Sequence, residues 1–87
     1  MPEIIVYSKG WCPYCDMAKR LLTQKGQDWI EIDVETEYAR LEEMVERSGG
    51  RTSVPQIFVD GRHLGDCEEL YALEAAGKLG PILEGAG

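Results

Sequence analysis

The sequence predicts an α/β fold in which one four-stranded mixed sheet carries helices on both faces. Three observations lead there. Strand and helix patterns alternate twice in the first half of the chain, a tight hairpin turn opens the second half, and another helical pattern closes it. The 87 residues suit one domain, 1–87, and no internal repeat divides it. The tail 84–87, "EGAG", is expected to fray.

The first element is "EIIVYS", a near-continuous apolar run with β-branched residues, as in a strand buried on both faces. A helix follows "GWCPYC": Met17, Ala18, Leu21 and Leu22 recur at three- and four-residue spacing, and Gly26 supplies its stop. "WIEID" gives a short second strand through Trp29, Ile30 and Ile32. Tyr38, Leu41, Met44 and Val45 then mark a second amphipathic helix with Tyr38, Leu41 and Val45 in the core, ending near Gly49 and Gly50. Ile57, Phe58 and Val59 form a third strand, Asp60-Gly61 a hairpin turn, and His63 and Leu64 a brief return strand. A third helix places Leu70, Leu73 and Ala76 on one face and begins with a capping box from Asp66 to Glu69. Gly80 and Pro81 introduce a last short turn bearing Ile82 and Leu83.

Composition narrows the function classes. A hydrophobic fraction of 44% with 29% charged residues is ordinary for a globular protein, and no apolar stretch nears the length of a membrane span. The short run 4–7 follows Glu3 rather than a positive flank, so no signal peptide is expected and the protein is assigned to the cytosol. A net charge of −7 argues against nucleic acid and anionic membrane surfaces as partners. Lys9, Lys19, Arg20 and Lys25 nevertheless flank the Cys pair, so a small anion can be drawn there locally. Lys19 and Arg20 themselves read as a solvated helix face.

The chemistry is carried by "CPYC". In a reducing compartment, a Cys pair is more often catalytic or metal-binding than structural. At the end of the first strand of a βαβ unit it reads as a thioredoxin-like redox motif. Cys12 falls at a helix N-terminus, where unpaired amides and a partial positive charge favour a thiolate, and Lys9 adds a full charge nearby. Pro13 suits the first helical position. Cys15, one turn further in, is expected to be the buried, resolving thiol. Asp16 opposes part of the thiolate stabilisation.

"YSKGWCPYC", "TSVPQIFVDG" and "HLGDCEELYAL" together resemble, in order and spacing, the active-site, cis-proline and glutathione-binding segments of the dithiol glutaredoxins. The likeness is greatest to their small bacterial type and covers nearly the whole chain. It implies the thioredoxin fold with strand order 2-1-3-4, a glutathione-dependent oxidoreductase, glutathione as co-substrate and no metal. By the same resemblance Cys12 attacks glutathionylated protein substrates and Cys15 completes the reduction of protein disulfides. It further implies a cis Val54-Pro55 bond that offers the Val54 backbone to glutathione, with Lys9 for the glycine carboxylate and Arg40 or Gln56 as weaker candidates. Tyr14 lines the groove, and Cys67 and Glu68 receive the γ-glutamyl carboxylate on free amides. Family potentials of about −200 to −230 mV lie close to the glutathione pool. Glutathione reductase is then an indirect partner, ribonucleotide reductase a candidate substrate, and a monomer the expected state. The chain departs from the family type at Asp66, Glu68 and Glu69, where the type has a glycine and paired aspartates. The extra Asp66 carboxylate bears on glutathione affinity more than on the reaction.

Alternatives exist for the same residues. Cys12, Cys15, His63 and Cys67 make up a Cys₃His zinc set. An iron–sulfur cluster shared between two subunits through Cys12 and glutathione, or a thioredoxin-like enzyme served directly by a flavoprotein reductase, are others. His63 on its own reads as a solvated hairpin residue. Cys67 is either a small buried hydrophobe or a regulatory thiol, and Trp11 either a docking contact or a packing residue.

Overall fold

The computed structural model describes residues 2–85. Its elements run β1 (Ile4–Ser8), α1 (Pro13–Gln24), β2 (Ile30–Asp33), α2 (Tyr38–Arg47), β3 (Gln56–Val59), β4 (Arg62–Gly65), α3 (Cys67–Ala75) and α4 (Leu79–Leu83). The sheet order is β2-β1-β3-β4, with β1 parallel to β2 and antiparallel to β3, and β3 antiparallel to β4. This is the predicted arrangement.

Chain order explains it. The crossover through α1 permits the parallel β1–β2 pair, whereas β3 returns to β4 through a two-residue turn. Asp60 and Gly61 both take positive φ, 50° and 81°, the type I′ geometry that matches the twist of a hairpin. β1 and β3 occupy the centre, and all four residues of β3 are buried. Ile4, Val6, Leu22, Ile57, Leu70 and Leu79 pack on the side of α1, α3 and α4. Tyr7, Ile32, Val34, Met44 and Phe58 pack on the side of α2.

Several expectations are corrected. Tyr38 is 72% exposed, because it begins α2 where the helix runs out past its core. Met17 and Ile30 are also exposed, the latter on the edge strand β2, and Ala76 is an exposed C-cap. The Gly80-Pro81 segment is the helix α4 rather than a turn, and Leu79, Ile82 and Leu83 bury its inner side. Within the predicted frayed tail, the Glu84 and Gly85 amides close α4 by donating to Gly80 and Ile82 at 3.0 and 3.1 Å. The rest of that tail lies outside the described residues. Lys19 is not merely solvated: it bonds both oxygens of Glu31 on β2, at 3.0 and 3.2 Å, and fastens α1 to the sheet.

Candidate active site

β1 delivers the chain to a turn at residues 9–11, and α1 begins immediately after it. Cys12 is the N-cap of α1, with extended backbone, and Pro13 follows at the first helical position. Its Sγ accepts the Cys15 amide at 3.2 Å, so the sulfur occupies the place a capping oxygen normally takes. Cys12 and Cys15 are joined as a disulfide, with Cα atoms 5.2 Å apart. Cys15 has no exposed surface while Cys12 retains 6%, so Cys12 is the less buried of the two cysteines. The Asp16 carboxylate lies 3.6 Å from Lys19, which offsets its charge beside the sulfurs.

Val54-Pro55 is cis. Tyr14, Ser53, Val54, Pro55, Asp66, Cys67 and Glu68 line a cleft of about 240 Å³. It therefore joins three segments distant in sequence: the first turn of α1, the loop before β3 and the start of α3. A second cleft carries Lys9, Val34 and Tyr38 and shares Ser53 and Val54 with the first. The structure thus gathers Tyr14, Val54, Pro55, Cys67 and Glu68 into one groove and places Lys9 on its continuation. Neither cleft is lined by Arg40 or Gln56. Arg40 pairs with Glu43 at 3.2 Å, and Gln56 is fully buried.

Gln56 serves the loop instead. Its Nε2 donates to the Ser53 carbonyl at 3.1 Å, and its Oε1 lies 2.7 Å from His63 Nε2, so the amide holds the segment that presents Val54. His63 is accordingly half-buried, stacked on Phe58 with centroids 4.9 Å apart, rather than solvated. Burial, then the Arg51 charge, lowers its pKa, which favours the neutral ring. With its Nε2 turned to Gln56, His63 does not converge with the cysteines. Among the described residues, no group of three or more His, Cys, Asp or Glu is placed to hold a metal ion.

The start of α3 is built as its sequence suggested. The Glu69 amide donates to Asp66 Oδ1 at 2.9 Å and the Asp66 amide to Glu69 Oε1 at 3.1 Å, a complete capping box. This leaves Cys67 and Glu68 as the first helical residues, whose amides no intrahelical carbonyl can satisfy. Gly65 is required there, because at φ 119° a Cβ would stand 2.5 Å from Glu69. Arg51 was not singled out in the sequence, yet its guanidinium grips both Glu69 oxygens, with Nη2 to Oε2 at 2.9 Å, and lies 4.0 Å from Asp66. The Arg51 guanidinium outweighs the opposing effect of burial and holds the Glu69 carboxyl at about 2. Only the loop between α2 and β3, folded back over α3, creates this pair. Cys67 belongs to the core beneath α3. Burial, then Asp66 and Glu68, pushes its thiol upward, which favours the buried-hydrophobe reading over a reactive thiol.

The glutaredoxin family model matches residues 4–64, from β1 through most of β4. The chain belongs to the glutaredoxin family. Glutaredoxin 3 of Escherichia coli (strain K12) is 49% identical over 84 residues, which cover 97% of this chain and 100% of that protein. A glutaredoxin of Pseudomonas aeruginosa is 45% identical over 83 residues, 95% of this chain and 98% of that one. The solution structure of a Brucella melitensis glutaredoxin matches with TM-score 0.85 at 45% identity, covering 100% of this chain and 94% of its own. A buckwheat glutaredoxin–glutathione complex matches with TM-score 0.88 at 30% identity, covering 99% and 80%. The fold is therefore the thioredoxin fold of glutaredoxins, and the function is glutathione-dependent thiol–disulfide oxidoreduction with glutathione as co-substrate. Neither the cluster-carrier nor the directly reduced thioredoxin-like alternative is favoured.

Proposed function

We propose that this glutaredoxin binds glutathione along the groove from Lys9 through Tyr14, Val54 and Pro55 to Cys67 and Glu68, with Cys12 as nucleophile and Cys15 as resolving thiol. The observation carrying this reading is the convergence of Tyr14 from the CPYC motif, the Ser53–Pro55 loop and the start of α3 on one cleft, with Cys12 the less buried of the two cysteines.

With the disulfide reduced, the α1 N-terminus favours the Cys12 thiolate. It attacks the glutathione sulfur of a glutathionylated protein. The Cys12–glutathione disulfide forms, the protein–glutathione disulfide breaks, and the protein sulfur leaves as a thiolate that takes up a proton. A second glutathione thiolate attacks the bound glutathione sulfur, which releases oxidised glutathione and regenerates Cys12. For a protein disulfide, Cys12 forms a mixed disulfide with the substrate and Cys15, as thiolate, displaces the substrate. The product is the Cys12–Cys15 disulfide of this structure, which two glutathiones reduce in turn. In the groove, the Val54 backbone pairs with the cysteinyl unit of glutathione as a short added strand, Lys9 takes the glycine carboxylate, and the amides of Cys67 and Glu68 take the γ-glutamyl carboxylate.

Dependence on a glutathione pool kept reduced by glutathione reductase supports the cytoplasm as its compartment. No helix of the described residues is long and apolar enough to cross a membrane. Glutathionylated proteins are the principal substrates. Family resemblance adds ribonucleotide reductase as a candidate for the dithiol route. The edge strands β2 and β4, four residues each, are short for pairing with another sheet and support a monomer. The test is NADPH consumption with a glutathionylated model disulfide, glutathione and glutathione reductase. Cys12→Ser is expected to abolish turnover and Cys15→Ser to retain it; full activity in Cys12→Ser would overturn the assignment.

A further inference from the structure

A further cleft, of about 540 Å³, adjoins the groove at the start of α3. It shares Ser53, Asp66 and Glu68 with the Tyr14 cleft and adds Arg51, Glu69 and Ala72. Its charges are unequal, with Arg51 set against the three carboxylates of Asp66, Glu68 and Glu69. A ligand carboxylate that settles on the first amides of α3 is attracted by those amides and repelled by the acidic side chains around them. Asp66, which stands where the family type has glycine, sharpens that conflict.

Arg51 is fixed in this position from both sides. Its amide donates to Ser48 Oγ at 3.1 Å and its carbonyl accepts from the same hydroxyl at 3.2 Å, so the C-cap of α2 holds its backbone. Its guanidinium grips Glu69 and stands 4.0 Å from Asp66 Oδ2. The two Asp66 oxygens are thereby divided, Oδ1 accepting the Glu69 amide at 2.9 Å and Oδ2 facing Arg51. The start of α3 is already shaped by its own capping box, and Cys67 and Leu70 anchor the helix in the core. What Arg51 changes there is the field: without it, this end of the groove carries three carboxylates and no cation.

We propose that Arg51 is a positioning residue that acts through its charge, offsetting Asp66 and Glu69 so that the γ-glutamyl carboxylate of glutathione can settle on the Cys67 and Glu68 amides. The inference rests on the proposed function, and the test separates the two. Pre-reduced protein is mixed with either of two disulfides of one chromogenic aryl thiol. One carries glutathione; the other carries 4-aminobutyryl-cysteinyl-glycine, which keeps the amine and lacks only the γ-glutamyl carboxylate. In both, the Cys12 thiolate attacks the peptide sulfur, the Cys12–peptide disulfide forms, the peptide–aryl disulfide breaks, and the aryl thiolate leaves with the electron pair and is read by absorbance. Native protein is expected to favour glutathione in the second-order rate constant. Arg51→Met should slow the glutathione disulfide about threefold, as for one partly screened charge, and leave the analogue at or above its native rate. Added salt should shrink that difference, and Arg51→Lys, which keeps the charge, should stay near native. Glu69→Gln retains a capping-box side chain and should speed the glutathione disulfide. A clamp needs Glu69 as much as Arg51, so slowing in both Arg51→Met and Glu69→Gln would overturn the inference, as would equal slowing of the two disulfides in Arg51→Met. Native protein that reacts equally with both disulfides would instead overturn the proposed seat of the γ-glutamyl carboxylate, and the inference with it.

Discussion

Replacing Gln56 by Met tests how the fold serves the site. Gln56 is fully buried, with both ends of its amide engaged: Nε2 holds the Ser53 carbonyl at 3.1 Å and Oε1 meets His63 Nε2 at 2.7 Å. Met preserves length and volume, so the cavity cost is small. What goes is two neutral hydrogen bonds, each worth about 1 kcal/mol net, and His63 is left without its partner. The expected loss is about 2 kcal/mol, read as a fall of roughly 10 °C in Tm for a domain of this size. His63→Phe, which keeps a ring against Phe58, removes the other end of the pair. The double variant should cost about 1 kcal/mol less than the sum of the two single ones, because replacing both partners leaves no orphaned polar group. Function should follow the loop. With the Ser53–Pro55 segment less ordered, KM for a glutathionylated substrate should rise roughly fivefold, the equivalent of one hydrogen bond, while kcat stays near native. Urea denaturation of the four proteins and their kinetic constants give both readouts. Additive stabilities within about 0.3 kcal/mol, or an unchanged KM, would refute the view that Gln56 and His63 act together to hold the substrate loop.

Other predictions concern the start of α3. Asp66→Asn keeps an N-cap side chain but removes a carboxylate from the cleft wall, so stability should change little while KM for glutathione falls about threefold, as expected for one partly screened charge; a rise in KM would show that Asp66 helps binding. Glu69 is held at about 2 against an ordinary 4.5, so the unfolded chain takes up this proton first as pH drops. Its contribution to stability is therefore complete above 4.5 and is lost as pH falls through about 2. Arg51→Met should flatten this acid limb in urea midpoints measured against pH, and identical limbs in native and variant would contradict the assignment.

The sequence revealed elements whose signals are local. The β1–α1 junction, the Asp60-Gly61 turn and the Asp66–Glu69 capping box each lie within a few residues, and each forms as read. Periodicity failed where it was asked for position along an axis rather than angle around it. Tyr38 shares the stripe of Leu41 and Val45, yet the core ends before it. Polar residues acting across the fold were not legible. Gln56 appeared as a ligand candidate and His63 as a solvated residue, whereas the two are 7 residues apart and bonded across the β3–β4 hairpin. Arg51 meets Glu69 over 18 residues of sequence, a pairing with no local signature. The groove residues were legible only through family resemblance, because the three segments that form the cleft are brought together by the order of the strands.

In the proposed mechanism glutathione is received at Cys12. The most direct measurement is the intact mass and peptide map of Cys15→Ser after incubation with oxidised glutathione. With the resolving thiol gone, a single glutathione adduct is expected on Cys12, with Cys67 unmodified. An adduct on Cys67, or none under conditions where a free thiol of similar exposure reacts, would contradict it.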